Sequence, residues 1–294
     1  MAKDLADAFP RAKEMLQEVD DALGAPLSRI MFEGPADELT ATHNAQPALL
    51  AHGAIVWELV KERVESVSAA AGHSLGEHTA YHAAGSTTLG DAIRIVRARG
   101  ELMHEAGVAR PGAMAAILGE LSESIADICL RASEAGEVVP ANYNSDAQVV
   151  VSGEIAGVER AMELAKQAGA KRAVRLPVAG AFHSPLMKPA ESGLREAIES
   201  VELSDPAFPV YSNVTADQCT TASAARETLV RQLTSPVRWT DQVRNMADAH
   251  PDAMWIELGP GNVLTGLITR AVSGARATAC GTPADIDKLV ATLQ

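Results

Sequence analysis

Val67-Ser68-Ala69-Ala70-Ala71-Gly72-His73-Ser74-Leu75-Gly76-Glu77 decides how the rest of the chain is read. Val67 to Ala71 has strand character, and Leu75 to Ala84 reads as a helix stopped by Gly85. G-x-S-x-G between a strand and a helix is the nucleophile elbow, a tight turn that pushes the serine hydroxyl clear of the backbone. Both glycines, Gly72 and Gly76, are expected to be required because a side chain at either place would strike the neighbouring strand or helix. The bare pattern arises by chance with probability on the order of 0.1 in a chain of this size. Its placement favours a catalytic Ser74 over an incidental buried turn.

Working outward, strand-like and helical runs alternate, which predicts an α/β protein. Helical stretches run from Lys3 to Leu23, interrupted at Pro10 and closed by Gly24, from Gln46 to Val64, and from Leu89 to Ala106. After Pro111-Gly112 the texture changes. Strands at 113–118, 138–142, 148–151 and 171–177 alternate with helices at 122–135 and 155–168, giving the β-α-β-β-α-β order of a ferredoxin-like unit. The expectation is a small ferredoxin-like subdomain, 111–178, set into a larger α/β-hydrolase-like subdomain with a parallel sheet, 1–110 and 179–294. A strand at Met254–Leu258 and a helix from about Asn262 close the chain.

Composition narrows the function classes. At 294 residues and 47% hydrophobic the chain can bury a full core. No apolar run approaches the roughly 20 residues of a membrane span, and the start lacks a signal peptide's apolar stretch, so a cytoplasmic protein without a membrane partner is expected. A net charge of −13 argues against nucleic acid. Cys129, Cys219 and Cys280 are widely spaced and read as reduced thiols rather than a disulfide framework or metal site.

A serine hydroxyl needs a base with a pKa near the working pH. Among eight histidines, His73 lies inside the elbow and points away from the hydroxyl. His78 and His82 stand at zinc-like spacing without a third ligand, so an exposed polar helix face is preferred and no metal is expected. His183, in Ala181-Phe182-His183-Ser184-Pro185, stands where the small unit rejoins the large one and faces a cleft by default; a satisfied loop histidine is the alternative. Arg99, in the mostly apolar helix Ile93–Met103, either snorkels to solvent or pairs with an anion in a pocket. Gly259-Pro260-Gly261 reads as a turn ending a strand in preference to a phosphate cradle.

Taken together, these pieces resemble the malonyl-CoA:acyl-carrier-protein transacylase family, related to polyketide synthase acyltransferase domains. The resemblance runs through Gln46-Pro47-Ala48-Leu49-Leu50, the elbow block, and Val96-Arg97-Ala98-Arg99-Gly100-Glu101-Leu102-Met103. It continues through Ala141-Asn142-Tyr143-Asn144, Gln148 to Gly153, and Ala181 to Met187. The last blocks are Pro236-Val237-Arg238-Trp239 and Glu257 to Leu264. It implies a malonyl-serine at Ser74, His183 as base and then acid, and a main-chain carbonyl at Gln232 orienting that histidine. The N–H of Leu75 would donate to the oxyanion. Arg99 would grip the malonyl carboxylate, and Met103, Phe182, His73 and Asn142 would line the substrate site. Phe182 favours malonyl because its ring would crowd an α-methyl group. Malonyl-CoA would be the substrate, with no cofactor, and the protein is expected to be a monomer.

The family begins with a strand and a Gly-Gln-Gly-Ser-Gln loop ahead of the position that Met1 matches. On that resemblance a sheet strand and one oxyanion contributor are expected to be lacking, as if an internal methionine had been read as the start. Losing an oxyanion donor can slow a reaction by about 10²–10³, so this form is expected to be impaired beside an extended one. Acyl carrier protein, the second expected partner, is acidic like this chain. Docking therefore needs a local patch, and Lys166, Lys171, Arg172, Arg175 and Lys188 supply one between Leu164 and Ala190, where no acidic residue occurs. A solvated helix end and strand edge is the alternative. A serine esterase, a non-catalytic binding remnant and a polyketide acyltransferase are the competing functions.

Overall fold

A computed structural model describes residues 1–178 and 180–293. Ala179 and Gln294, on which the expected bounds of the large subdomain fall, lie outside the described residues.

The first sixty residues are helical: α1 (Lys3–Ala8), α2 (Pro10–Leu23), α3 (Leu27–Glu33), α4 (Ala36–Thr40) and α5 (Thr42–Val60). The expected interruption falls at Phe9, whose extended backbone (φ −128°, ψ 116°) suits a residue before proline. Gly24 closes α2 in the left-handed region (φ 60°). α5 starts four residues earlier than the sequence suggests. Pro47 lies inside it, close enough to the amino end that the helix continues through it.

Strand β1 covers only Ala70–Ala71, and α6 (Leu75–Ala83) and α7 (Leu89–Ala109) follow. Thr88 caps α7, accepting from the N–H of Asp91 and donating to its carboxylate. Ala92, Ile93, Val96, Arg99, Gly100, Met103 and Ala106 form its buried face. Gly100 lets α7 approach α5 closely; a Cβ there would sit 2.7 Å from the Cα of His43. That approach sets Arg99 beside Gln46.

The four-stranded sheet matches the expected order. β2 (Gly112–Leu118), α8 (Ile125–Ala132), β3 (Val138–Ser145), β4 (Gln148–Glu154), α9 (Ile155–Gln167) and β5 (Arg172–Arg175) build an antiparallel sheet ordered β3-β4-β2-β5. The β2–β4 ladder runs unbroken from Gly112 opposite Glu154 to Leu118 opposite Gln148. Ile117, Ile128, Val151, Val158 and Leu164 fill the core beneath it. β3 is irregular between Pro140 and Asn142, and there it bonds the segment beyond residue 236: Val237 donates to Ala141, and Tyr143 donates to Val237.

The remaining chain forms α10 (Ala190–Glu199), β6 (Val210–Tyr211), β7 (Gln218–Cys219), α11 (Ala222–Arg231), α12 (Trp239–Ala249), β8 (Met254–Leu258), α13 (Val263–Ala271), β9 (Arg276–Cys280) and α14 (Pro283–Leu293). The parallel pairing expected of the larger part is present in two pieces. β1 pairs with β6 in parallel and β6 with β7 antiparallel, while β8 and β9 form a separate parallel pair. β1 and β8 both line a cavity of about 1500 Å³. Among the described residues no helix is long and apolar enough to cross a membrane.

Candidate active site

Ser74 stands at the start of α6 with φ 53° and ψ −106°, a conformation rare outside glycine. The elbow closes so tightly that a Cβ on Gly72 would lie 1.9 Å from the carbonyl carbon of Gly76. Gly76 itself does not need to lack a side chain for the expected reason. A Cβ there meets nothing within 4 Å, because the position faces the cavity beside β1 rather than a neighbouring element.

His183 reaches the serine from the loop before α10, its own φ also positive at 57°. Its Nε2 lies 2.8 Å from the Ser74 Oγ, and its Nδ1 lies 2.8 Å from the main-chain carbonyl of Gln232. A carbonyl only accepts, so Nδ1 carries the proton and Nε2 is left free to take one from the hydroxyl. The ring is 3% exposed. Burial, reinforced by the nearby Arg99 charge, pushes His183 down to about 3 despite the stabilising bond to Gln232. It is therefore neutral at physiological pH.

Arg99 is 1% exposed, so it points inward and does not snorkel. Its Nη1 donates to Gln46 Oε1 at 2.5 Å; its Nη2 donates to Gln232 Oε1 at 2.9 Å and to the Ser74 Oγ at 3.1 Å. Burial pulls the guanidinium down to about 10, partly offset by Glu77, and leaves it charged at neutral pH. A pocket of about 270 Å³ opens on these groups, with Met103, Met114, Asn142 and Phe182 among its walls. Leu75 also lines it, and its N–H belongs to the first helical turn, where amides lack intrahelical acceptors.

His73 is placed elsewhere. Its Nε2 donates to Asn144 Oδ1 at 2.8 Å and its ring packs near Trp239, on the side of the larger cavity and not in the pocket at Ser74. His78 is buried and the Nδ1 of His82 meets the carbonyl of Thr87, so the expected exposed polar face is absent; α6 is packed between α5, α7 and β6. No group of three or more metal-ligating side chains occurs among the described residues. At Gly259-Pro260-Gly261 the carboxylate of Glu257 accepts the N–H groups of Leu264 and Thr265, so the following helix start is already capped by an anion. The five basic residues all lie on the surface. Two have acidic neighbours from outside the stretch: Arg175 meets Glu159 at 3.4 Å, and Lys188 meets Glu191 at 2.6 Å.

Sequence reasoning gave no role to four buried polar side chains of this site: Gln46, Glu77, Asn213 and Gln242. Gln46 and Glu77 lie within the motif blocks, and a glutamine in an apolar helix was the available signal for the first. Nothing local marks Asn213 or Gln242.

Residues 1–289 match a family model described as "Acyl transferase domain". The chain belongs to the acyl transferase family. Among curated members it is 44% identical to "Malonyl CoA-acyl carrier protein transacylase" of Bacillus subtilis (strain 168), over 100% of this chain and 93% of that protein. It is 42% identical to the protein of the same name from Escherichia coli (strain K12), over 96% and 92% respectively. Solved acyl transferases superpose closely. An acyl carrier protein S-malonyltransferase from Vibrio cholerae aligns with a TM-score of 0.93 at 40% identity, covering 98% of this chain and 94% of its own. A malonyl-transacylase solved in complex with a type II PKS acyl-carrier protein aligns with a TM-score of 0.94 at 41% identity, covering 99% and 94%.

Proposed function

We propose that the chain transfers the malonyl group of malonyl-CoA to the phosphopantetheine thiol of an acyl carrier protein in fatty-acid synthesis. The observation that carries this reading is a buried arginine 3.1 Å from a serine hydroxyl that is itself bonded to a neutral histidine. Ser74 attacks the thioester carbonyl as His183 takes the hydroxyl proton. The carbon–sulfur bond then breaks, and the proton passes to the departing thiolate. The carrier thiol reverses the sequence, giving its proton to His183 and receiving the malonyl group. In this reading the Leu75 N–H donates to the developing oxyanion, supported by Leu75 lining the pocket at the first turn of α6, and no cofactor enters either half-reaction.

Arg99 supplies selectivity. A guanidinium fork holds a carboxylate through two charge-assisted hydrogen bonds, whereas an acetyl group offers it no counter-charge. That deficit, about 3–5 kcal/mol, rejects acetyl by more than about a hundredfold. Phe182, Met103 and Asn142 shape the pocket, while His73 is left a supporting role through Asn144. For carrier docking, Lys166, Lys171 and Arg172 are the stronger candidates, since Arg175 and Lys188 are engaged by Glu159 and Glu191. The likeness to a transacylase solved with a type II PKS carrier favours service to a polyketide pathway as the second reading.

The division into a small unit at 111–178 within 1–110 and 179–294 is supported by the separate apolar core that the four-stranded sheet shares with α8 and α9. Three buried free cysteines fit a reducing, cytoplasmic setting. The test is intact mass after mixing with malonyl-CoA or acetyl-CoA. The wild type should gain one malonyl increment and little acetyl, and Ser74→Ala should gain neither; malonyl uptake by Ser74→Ala would overturn the reading.

A further inference from the structure

Glu77 is a buried ionisable side chain beside Ser74 to which the reaction above gives no part. It lies one turn along α6 and is 0% exposed. Its Oε2 accepts from Gln232 Nε2 at 2.7 Å and from the backbone N–H of Asn213 at 3.1 Å. These two residues in turn grip the elbow. Gln232 Nε2 also donates to the carbonyl of Ser74 at 3.0 Å. Asn213 Oδ1 accepts the N–H of Ser74 at 2.7 Å, and Asn213 Nδ2 donates to the carbonyl of Gly72 at 2.7 Å. Three backbone groups of a strained turn are thus held by two amide side chains whose residues meet on one carboxylate oxygen.

Gln232 is used twice. Its main-chain carbonyl holds Nδ1 of His183, and its side-chain Oε1 holds Nη2 of Arg99. An amide can sit either way round, and here the choice is forced. With Nε2 toward Glu77 and the Ser74 carbonyl, both acceptors, Oε1 faces the donor-only guanidinium. Turned over, oxygen would face two acceptors and NH₂ would face Arg99, so all three contacts would be mismatched.

We propose that Glu77 is a positioning residue whose carboxylate fixes the Gln232 amide and, through it, the places of Arg99 and His183 against Ser74. The proposal rests on the roles given above to those three residues. A carboxylate serves this better than a neutral amide, because its charge strengthens both bonds that Oε2 accepts. A glutamine at 77 would turn its one oxygen to the N–H of Asn213 and to Gln232, but without the charge it would hold the Gln232 amide more weakly.

The titratable groups around Glu77 are few. Arg99 faces it from α7, His78 and Tyr81 share its helix, His183 lies across the site, and the Cys219 thiol of β7 adjoins Tyr81. Burial pushes Glu77 up to about 7, while Asn213, Gln232 and Arg99 hold it from rising further. The positioning form therefore predominates above about 7 and is lost as pH falls below it, a range in which His183, down at about 3, does not change charge.

The experiment is rapid-quench intact mass of Ser74 malonylation at saturating malonyl-CoA, between about pH 5.5 and 8.5, for wild type, Glu77→Gln and Glu77→Asp. Wild type should rise with pH through about 7. Glu77→Gln should be about 10–100-fold slower at the upper end and flat with pH, with a KM for malonyl-CoA changed far less than the rate. Glu77→Asp keeps the charge one carbon short, so it should be slowed with the pH dependence retained. A Glu77→Gln rate within about twofold of wild type would overturn the proposal. So would a uniform slowing that leaves the acid limb in place, since that is what a merely structural residue gives. If Glu77→Gln does not fold, Glu77→Asp decides: slowing with a retained limb supports the proposal, and an unchanged rate ends it. A wild type never malonylated at Ser74 would remove the parent reading instead, an outcome the mass itself distinguishes.

Discussion

The polar cluster around Ser74 and the basic stretch from Lys166 to Lys188 are built from similar residue types, yet they differ in nearly every physical respect. In the cluster, Arg99, Gln232, His183 and Glu77 are buried, and each bonds to at least one of the others or to the elbow. In the stretch, five cations stand in solvent, two of them next to carboxylates. Buried polar contacts are energetically strong and intolerant of loss, whereas exposed ion pairs are worth roughly 0–1 kcal/mol. The same arginine-to-alanine change should therefore act on different scales in the two places.

The widest gap should open at His183. His183→Ala removes the base and should slow malonyl transfer by about 10²–10⁴-fold. In the wild type this ring should keep the NMR signature of a neutral imidazole down to about pH 5, well below the ordinary histidine value near 6.5. Titration near 6.5 would mean that the pocket is wetter than its burial indicates.

Arg99→Ala comes next. Malonylation should weaken until the preference for malonyl over acetyl falls by more than about a hundredfold, read from competing mass increments. Retained discrimination would place the carboxylate contact elsewhere. The smallest effects belong to the surface. Lys171→Glu with Arg172→Glu should raise the KM for carrier protein by about 3–10-fold and spare that for malonyl-CoA, whereas Arg175→Ala and Lys188→Ala should change it by less than about twofold. Equal rises for both substrates would dissolve the distinction between patch and pocket.

Legibility in the sequence follows the same division. The four-stranded sheet was readable because its signals are local: short apolar runs in β2 and β4, amphipathic α8 and α9, and turns between them. The elbow was readable because a backbone this tight demands glycine at 72. Ser74 and His183 are 109 residues apart in the chain, and the sequence placed them together only through a family resemblance. Asn213 and Gln242 escaped notice because their partners lie at distant positions; Asn213 meets residues 72, 74 and 77, and no spacing rule connects those to it. His78 was misread as exposed because an i, i+4 histidine pair carries no sign of what packs over it. The two-piece pairing of β1 and β8 was hidden for a related reason, since strand character does not reveal neighbours.

Ser74 and His183 share one further property: each side chain hangs from a residue in a backbone region that glycine occupies freely. Non-glycine residues there cost about 1–3 kcal/mol each. Selection for thermal robustness alone would thus favour glycine at both positions and would eliminate turnover while doing so. A serine and a histidine at these two positions thus hold the folded chain below the heat resistance its backbone could otherwise reach.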